Sequence, residues 1–406
     1  MNLSPPMPLR YRALSIGEQF LPFFIVAIHF STSATLAFWI LIATLWLASF
    51  SMKSARNVLE QSPSALYALI LFAVLAFSVV YSTAPLPKAF GALFKYRVLL
   101  LPLILIPFLS SEQTRNRSEK FLLAALITTM LISCAAYAGL ISTELAYVPL
   151  KNRITHSLFM AFLGFFCLHR LYERDRHRLF WILVLILAGF NLFIVGDGRT
   201  GQLAFLLLSA LFFLQVFSAR TAIILAAVTL AAFTAFMFLS PHAARFFDGI
   251  NESALFFRHD NSVTETSMGL RLGWWRDTLD IIAQSPWIGQ GIGGLAFRYQ
   301  QVFPHQPVVV NPHNEYLLMT AQLGLPGLLL FLAFLASILR QATRLPQSKR
   351  WLLQGLWLLL AISCLFNSSL LDHTEGHWFL TLVALYSASD AMLYATKMNS
   401  GDAPAS

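Results

Sequence analysis

Residues 221–240 read TAIILAAVTLAAFTAFMFLS, and the block before them, 201–217, reads GQLAFLLLSALFFLQVF. Neither block contains an acidic or basic side chain. Each has the roughly 17–22 residues that a helix needs to cross about 30 Å of hydrocarbon. A transmembrane barrel would instead alternate polar and apolar side chains over about ten residues. The two blocks therefore predict neighbouring membrane-spanning α-helices.

The same pattern recurs along the chain of 406 residues, which is 57% hydrophobic and only 12% charged and has a mean hydropathy of +0.66. Soluble domains carry about twice that share of charged residues. The predicted fold class is all-α, a polytopic membrane protein with about 12 transmembrane helices. The predicted spans are 18–33, 35–51, 65–82, 90–109, 121–141, 155–172, 179–196, 201–217, 221–240, 313–339, 351–370 and 377–396.

Basic residues in the short links predict the orientation, because Lys and Arg resist translocation. Links on one side hold most of them, and that side is assigned to the cytoplasm together with both termini. The short links on the other side hold only Lys88, Lys151, Arg153 and Arg199. The predicted organisation is nine helices in 1–240, an outer loop in 241–311, three helices in 312–397 and a disordered cytoplasmic tail in 398–406.

The outer loop 241–311 is too long for a simple turn and is expected to carry function. Within it, residues 270–284 (LRLGWWRDTLDIIAQ) place apolar side chains at the spacing of an amphipathic helix lying along the membrane surface. Ser285 and Pro286 are expected to end this helix. The glycines that follow, at 289–294, predict a tight connection.

Four residues on the outer side are candidates for chemistry. His313 follows Pro312 at the start of a predicted span, so we expect it in the first helical turn, where the positive helix end keeps the imidazole neutral and able to accept a proton. Arg199 lies in the short turn GDGRTG, where a guanidinium can hold phosphate oxygens or simply reach lipid headgroups. Arg271 and Arg276, on the predicted surface helix, are expected to face the same cavity.

Lys95 and Arg97 lie one to two turns inside the fourth predicted span. Charge at that depth is costly and indicates a functional cavity or partner. Because they are two residues apart in a helix, they are expected to point to opposite faces. With Arg153 they contribute to a basic outer side that suits an anionic substrate such as a lipid diphosphate.

Several other functions fit the sequence poorly. The net charge of +9 comes mostly from links between spans, so nucleic acid is not an expected partner. Residues 289–294 match GxGxxG but follow no predicted strand, which argues against a dinucleotide site. Residues 372–377 (DHTEGH) lack the spacing of a known metal motif, and a structural or substrate-lining role is favoured. All three cysteines lie within apolar blocks, so no disulfide framework is expected.

Motifs between about residues 196 and 330 resemble the O-antigen ligase and polymerase superfamily, and within it the WaaL-type O-antigen ligases. They are Asp197-Gly198-Arg199-Thr200, SPWIGQGIG at 285–293, His313-Asn314-Glu315-Tyr316-Leu317 and Gly324-Leu325-Pro326-Gly327. The resemblance implies a GT-C-type glycosyltransferase of the bacterial inner membrane, with a periplasmic active site and without a metal or other cofactor. The donor would be an O-antigen polysaccharide on undecaprenyl diphosphate, and the acceptor a sugar hydroxyl of lipid A-core.

The resemblance also assigns residues. The catalytic histidine of the family falls on His313, and its two arginines fall on Arg199 and Arg271. Further substrate-binding candidates, several of them suggested by depth and charge, are Lys95, Arg97, Arg153, Arg276, Asn314 and Tyr316. One alternative is an O-antigen polymerase that uses the same donor. Another, from a different class, is an anion transporter, which predicts inverted half-repeats that the sequence does not display.

Overall fold

The computed structural model describes residues 8–141, 150–196 and 198–388, and within them every regular element is helical. The α-helices are α1 (Leu9–Phe30), α2 (Thr32–Ala48), α3 (Met52–Gln61), α4 (Pro63–Phe77), α5 (Leu86–Lys95), α6 (Leu101–Leu105), α7 (Glu112–Tyr137), α8 (Arg153–Tyr172), α9 (Arg178–Phe190), α10 (Arg199–Val216), α11 (Ala219–Leu239), α12 (Ala244–Phe257), α13 (Ser267–Gln284), α14 (Gly294–Val302), α15 (Glu315–Ala342), α16 (Gln347–Phe366) and α17 (His373–Ser387). The predicted disordered tail, 398–406, lies outside the described residues.

Within those residues, ten helical segments are long and apolar enough to cross a membrane. An eleventh arises if α2 and α3, which meet at a bend of 113°, are counted as one span. The last predicted span, 377–396, overlaps α17, which ends at Ser387, and residues 389–396 lie beyond the described part of the chain. The predicted fold class, an all-α polytopic membrane protein, is confirmed.

The predicted span at 90–109 belongs to a segment, Leu86–Leu109, that is not a regular helix. It consists of α5, a 3₁₀ turn over Tyr96–Leu100, α6, and a second 3₁₀ turn over Ile106–Leu109. The segment contains Pro102 and Pro107, which lack the backbone N–H that an α-helix requires. The change from α to 3₁₀ geometry sets the directions in which the side chains of Lys95 and Arg97 point.

Helices α8 and α17 lie at the centre of the bundle. Phe159 and Phe162 of α8 pack against Trp378 of α17, with ring centroids 5.0 and 5.4 Å apart. All three side chains are fully buried, and close packing of this kind holds membrane helices together where lipid offers no hydrophobic driving force. The polar residues at the ends of these two helices are therefore held in place by the core.

Helix α15 is broken at Gly324, whose φ of 70° is left-handed. The glycine-rich connection 285–294 packs against this break: the N–H of Leu325 donates to the carbonyl of Pro286 at 2.7 Å, and the N–H of Gly291 donates to that of Gln322 at 2.9 Å. A Cβ on Gly324 would collide with the backbone of Trp287. The GxGxxG sequence is thus an anchor between helices.

Residues 241–314 form three helices, α12, α13 and α14, with their connections. Helix α13 includes the predicted helix at 270–284 and ends at Gln284, immediately before Ser285 and Pro286. It packs against α12, α14 and α15. This segment covers the end of the bundle at which α8 and α10 begin and α16 ends, which we call the site end.

Candidate active site

Three arginines from three helices line one cavity of about 360 Å³ at the site end. Arg153 begins α8, Arg199 begins α10, and Arg271 lies one turn into α13. We call this space the arginine cavity. The sequence predicted one cavity shared by Arg199, His313, Arg271 and Arg276. Its lining includes Arg199 and Arg271 but neither Arg276 nor His313. The rest of its lining includes Gly249, Ser267, Met268 and Phe366.

The guanidinium groups of Arg199 and Arg271 interact electrostatically within this cavity. Nη2 of Arg199 lies 3.5 Å from the hydroxyl of Ser267, the first residue of α13. Burial lowers the pKa of Arg271, and the positive charge of Arg199 lowers it further. Because two like charges repel one another here, an anion bound between them would be stabilised by both. The cavity is therefore suited to an anionic group.

Gly249 is the residue of α12 that lies against the side chain of Arg199. A Cβ added to Gly249 would collide with Nη1 of the Arg199 guanidinium. Gly249 lines the same cavity as Arg199, and its missing side chain allows α12 to lie against the guanidinium. The position of Arg199 is set by α12 as well as by its own helix.

His313 lies just outside α15, so its predicted location in the first turn of a helix is wrong. The helix begins at Glu315, because the side chain of Asn314 caps it by accepting from the N–H of Leu317 at 3.0 Å. His313 has a left-handed φ of 53°, and its N–H donates to Oδ1 of Asn311 at 2.8 Å. Non-glycine residues held in this conformation often mark functional positions.

The imidazole of His313 is half-buried between two partners. It stacks on Trp274 of α13, with ring centroids 5.5 Å apart and an angle of 26° between the planes. Its Nδ1 lies 3.0 Å from Oδ1 of Asn367. Burial lowers the pKa of His313, and the charge of Arg271 lowers it further, while Asn367 and Asp372 act in the opposite direction. Burial, the largest of these effects, therefore favours the neutral imidazole.

Asn367 also contacts the buried carboxylate of Glu375. The amide nitrogen of Asn367 donates to Oε2 of Glu375 at 2.9 Å, and Glu375 is only 1% exposed. Sequence analysis placed Glu375 in the polar segment 372–377 without a role and did not single out Asn367 or Trp274. The sequence feature that could have pointed to Glu375 is the run of polar residues that follows an apolar span, because polar groups inside membrane segments are costly.

Lys95 and Arg97 line a second cavity, of about 520 Å³, together with Asn311 and Asp372. Their predicted orientation towards opposite faces is wrong, because α5 ends at Lys95 and the chain continues in a 3₁₀ turn. The guanidinium of Arg97 also lies over the ring of Phe94, 4.1 Å from its centroid. Asn311, two residues before His313, lines the second cavity. Phe366, which precedes Asn367, the hydrogen-bond partner of His313, lines the arginine cavity.

Three other candidates have partners within the protein. Arg276 is turned away from the lining of the arginine cavity and pairs with the carboxylate of Asp277 at 3.1 Å; five residues after Arg271, it lies about 140° further round α13. Asn314 caps α15. The hydroxyl of Tyr316 donates to the carbonyl of Ala361 at 3.1 Å, which joins α15 to α16.

Segment 372–377 contributes a helix cap. Asp372 accepts from the N–H groups of Thr374 and Glu375 at 2.9 and 3.2 Å and so begins α17. Across the described residues, no three His, Cys, Asp or Glu side chains are grouped as metal ligands. The ordered carboxylates of this region are therefore engaged in capping and in the hydrogen bonds around Asn367.

The fold and this site define a multi-pass helical membrane protein with a cationic cavity beside a neutral histidine. A sequence model of the family described as O-antigen ligase matches residues 182–332, which include Arg199, Arg271 and His313. Over that region the chain is similar to the O-antigen ligase family. An O-antigen ligase of Pseudomonas aeruginosa (strain PAO1) is 28% identical over 135 residues, which cover 33% of this chain. The match spans about a third of that relative, 32% of its length.

Proposed function

We propose that this protein is an O-antigen ligase, which transfers O-antigen polysaccharide from undecaprenyl diphosphate to a sugar hydroxyl of lipid A-core. The observation that carries the proposal is the meeting of Arg153, Arg199 and Arg271 in one cavity, with Arg271 close enough to His313 to influence its charge. The family match, which includes Arg199, Arg271 and His313, supports it. The proposal is of a glycosyltransferase of the GT-C type.

The proposed location of the site is the periplasmic face of the bacterial inner membrane. The links at the opposite end of the bundle hold the larger share of Arg and Lys, among them four arginines between residues 170 and 178. Short loops rich in these residues stay in the cytoplasm. A carrier lipid whose phosphates lie at the outer membrane surface would then reach the arginine cavity directly.

The arginine cavity is proposed to bind the diphosphate of the donor. As the bond between sugar and phosphate breaks, negative charge grows on the leaving phosphate, and guanidinium groups held in place stabilise it. They supply the positive charge that a divalent cation would supply elsewhere, so we expect transfer to proceed without a metal. Attack by the acceptor hydroxyl on the face opposite the leaving group inverts the anomeric centre.

The second cavity is proposed to receive the acceptor, with Lys95 and Arg97 available for its anionic groups. His313, two residues after Asn311 of the second cavity, is proposed as the general base that takes the proton of the attacking hydroxyl. A neutral imidazole is required for that step, and the lowered pKa of His313 supports it.

The test is purified protein in a lipid bilayer with carrier-linked polysaccharide, lipid A-core and a chelator, scored for polymer-bearing lipid. His313→Ala is expected to lower the rate by about 100-fold or more, because a general base contributes on that order. His305→Ala is the matched control, since His305 is an exposed histidine of the same loop. Full transfer by His313→Ala, or none by the unaltered protein, would contradict the proposal.

An O-antigen polymerase is the nearest alternative, because it would use the same donor with a second carrier-linked glycan as acceptor. Cells that lack the protein distinguish the two activities. Loss of a ligase leaves long polymer on the carrier, whereas loss of a polymerase leaves single repeat units on the core. The transporter alternative predicts uptake of a labelled anion by reconstituted protein without glycan transfer.

A further inference from the structure

The carboxylate of Glu375 is surrounded by hydrogen-bond donors. Thr155 of α8 donates to its Oε1 at 2.9 Å, and Ser369 donates to its Oε2 at 2.6 Å. The third donor is the side-chain amide of Asn367, at 2.9 Å. A carboxylate buried in a membrane protein is expensive and is usually functional. These donors hold it in one position without a basic side chain among them.

Glu375 determines which way the amide of Asn367 faces. The oxygens of ionised Glu375 can only accept hydrogen bonds, so in that state the NH₂ group of Asn367 points towards Glu375 and its carbonyl oxygen towards His313. An amide oxygen in turn can only accept, so Nδ1 of His313 must carry the proton. Nε2 is then left with its lone pair, which is the arrangement that a general base needs.

We propose that Glu375 is a positioning residue for the reaction: through Asn367, it holds His313 in the tautomer protonated on Nδ1 and stabilises the imidazolium that forms during transfer. This inference rests on the proposed function. The acceptor oxygen bonds to the anomeric carbon, the bond from that carbon to the phosphate oxygen breaks, and its electron pair leaves with the diphosphate. The hydroxyl proton moves to Nε2, and the resulting charge is shared along the hydrogen bonds to Asn367 and Glu375.

Other charged groups face the same residues and have to be kept constant in a test. Arg271 of α13 disfavours the imidazolium, and Asp372 before α17 favours it. Lys151, in front of α8, donates to Thr374, the neighbour of Glu375, at 3.2 Å. Glu315 of α15 accepts from Tyr96 at 2.8 Å and from the N–H of Leu370 at 2.9 Å. The variants described next leave Arg271, Asp372, Lys151 and Glu315 unaltered.

An exchange of the two side chains tests the proposal. In Glu375→Gln, the new amide can donate as well as accept, so Asn367 is no longer held in one orientation, and we expect transfer to fall by about tenfold. Asn367→Asp alone places two carboxylates in contact and is expected to be at least as slow. The double variant N367D/E375Q restores one consistent set of donors and acceptors, and we expect it to be several-fold faster than the slower single variant.

The pH dependence adds a readout that a purely structural role would not change. The double variant places a carboxylate directly against Nδ1, which favours the imidazolium, so the acidic limb of the rate profile should move up by about one pH unit. In Glu375→Gln, the acidic limb of the rate profile should move to lower pH. The same midpoint can be measured without substrate, by following acylation of His313 at Nε2 with diethyl pyrocarbonate and quantifying the modified peptide by mass spectrometry.

Glu315→Gln is the matched control, since Glu315 is an equally buried carboxylate of the site end that does not contact Asn367. It is expected to lower the temperature of unfolding without moving the midpoint of His313. A folded double variant with an unshifted midpoint, or an equal shift in Glu315→Gln, would overturn the proposal. If Glu375→Gln does not fold, the double variant is compared with the unaltered protein. Absence of transfer in the unaltered protein, with the midpoints ordered as expected, would refute the ligase function and leave the role of Glu375 intact.

Discussion

His313 and Arg271 are coupled, although they come from different segments of the chain. The charge of Arg271 lowers the pKa of His313 by opposing the imidazolium. The same guanidinium is proposed to hold the donor phosphate, so arrival of a phosphate would reduce that opposition. On that proposal, binding of the anion would make the imidazole of His313 more basic.

Arg271→Gln should raise the pKa of His313. Without the positive charge the imidazolium is less disfavoured, so at a given pH less of the imidazole is neutral, and the midpoint for acylation by diethyl pyrocarbonate moves to higher pH. We expect a shift of about half a unit to one unit, measured without substrate. Arg276→Gln is the control, because Arg276 is largely exposed and paired with Asp277; an equal shift there would contradict the assignment.

Sequence and resemblance together singled out the basic and titratable candidates of the site, but not the side chains that contact His313. Arg199, Arg271 and His313 fall in recognisable motifs, and the structure brings the two arginines to one cavity. Asn367 bonds to His313 across 54 positions of sequence and to Glu375 across 8. Such pairings depend on how α8, α15, α16 and α17 pack, and no local pattern of residues encodes a distance between helices.

Helix boundaries were predicted best where apolar blocks are uninterrupted. Blocks such as 221–240 have no competing signal, and α11 spans Ala219–Leu239. The prediction was poorer around His313, where the side chain of Asn314 begins the helix two residues later than expected. It was also poorer at Lys95 and Arg97, where a switch from α to 3₁₀ geometry turns both side chains into one cavity.

The break in α15 should be sensitive to a single methyl group. Gly324→Ala adds a Cβ at a left-handed residue and against the backbone of Trp287. Gly139→Ala, the matched control, adds one at a similar φ of 74° with open space around it. The left-handed conformation alone costs about 1–2 kcal/mol, so we expect Gly324→Ala to lower the unfolding temperature in detergent clearly more than Gly139→Ala. Equal losses would mean that the contact with residues 286–288 does not contribute to stability.

The orientation of the chain as a whole can be tested with two serine substitutions. Ser262 lies between α12 and α13, and Ser348 at the start of α16; both are exposed. The proposed topology places Ser262 in the periplasm and Ser348 in the cytoplasm. In intact cells, Ser262→Cys should react with a thiol reagent that does not cross the inner membrane, whereas Ser348→Cys should react only after lysis. The unaltered protein is the control, because Cys167 and Cys364 are buried and Cys134 is half-buried. The opposite labelling pattern would reverse the topology.

Helix α13 carries Arg271 and, three residues later, Trp274, whose indole stacks on His313. The two side chains lie on the same face about one turn apart. Any displacement of this helix moves the guanidinium and the indole as one piece, and so alters the charge and the ring contact at the imidazole simultaneously. The chain has nine tryptophans, so the contribution of Trp274 to the emission would be obtained as the difference between the unaltered protein and Trp274→Phe, and a carrier headgroup that displaces α13 would change it.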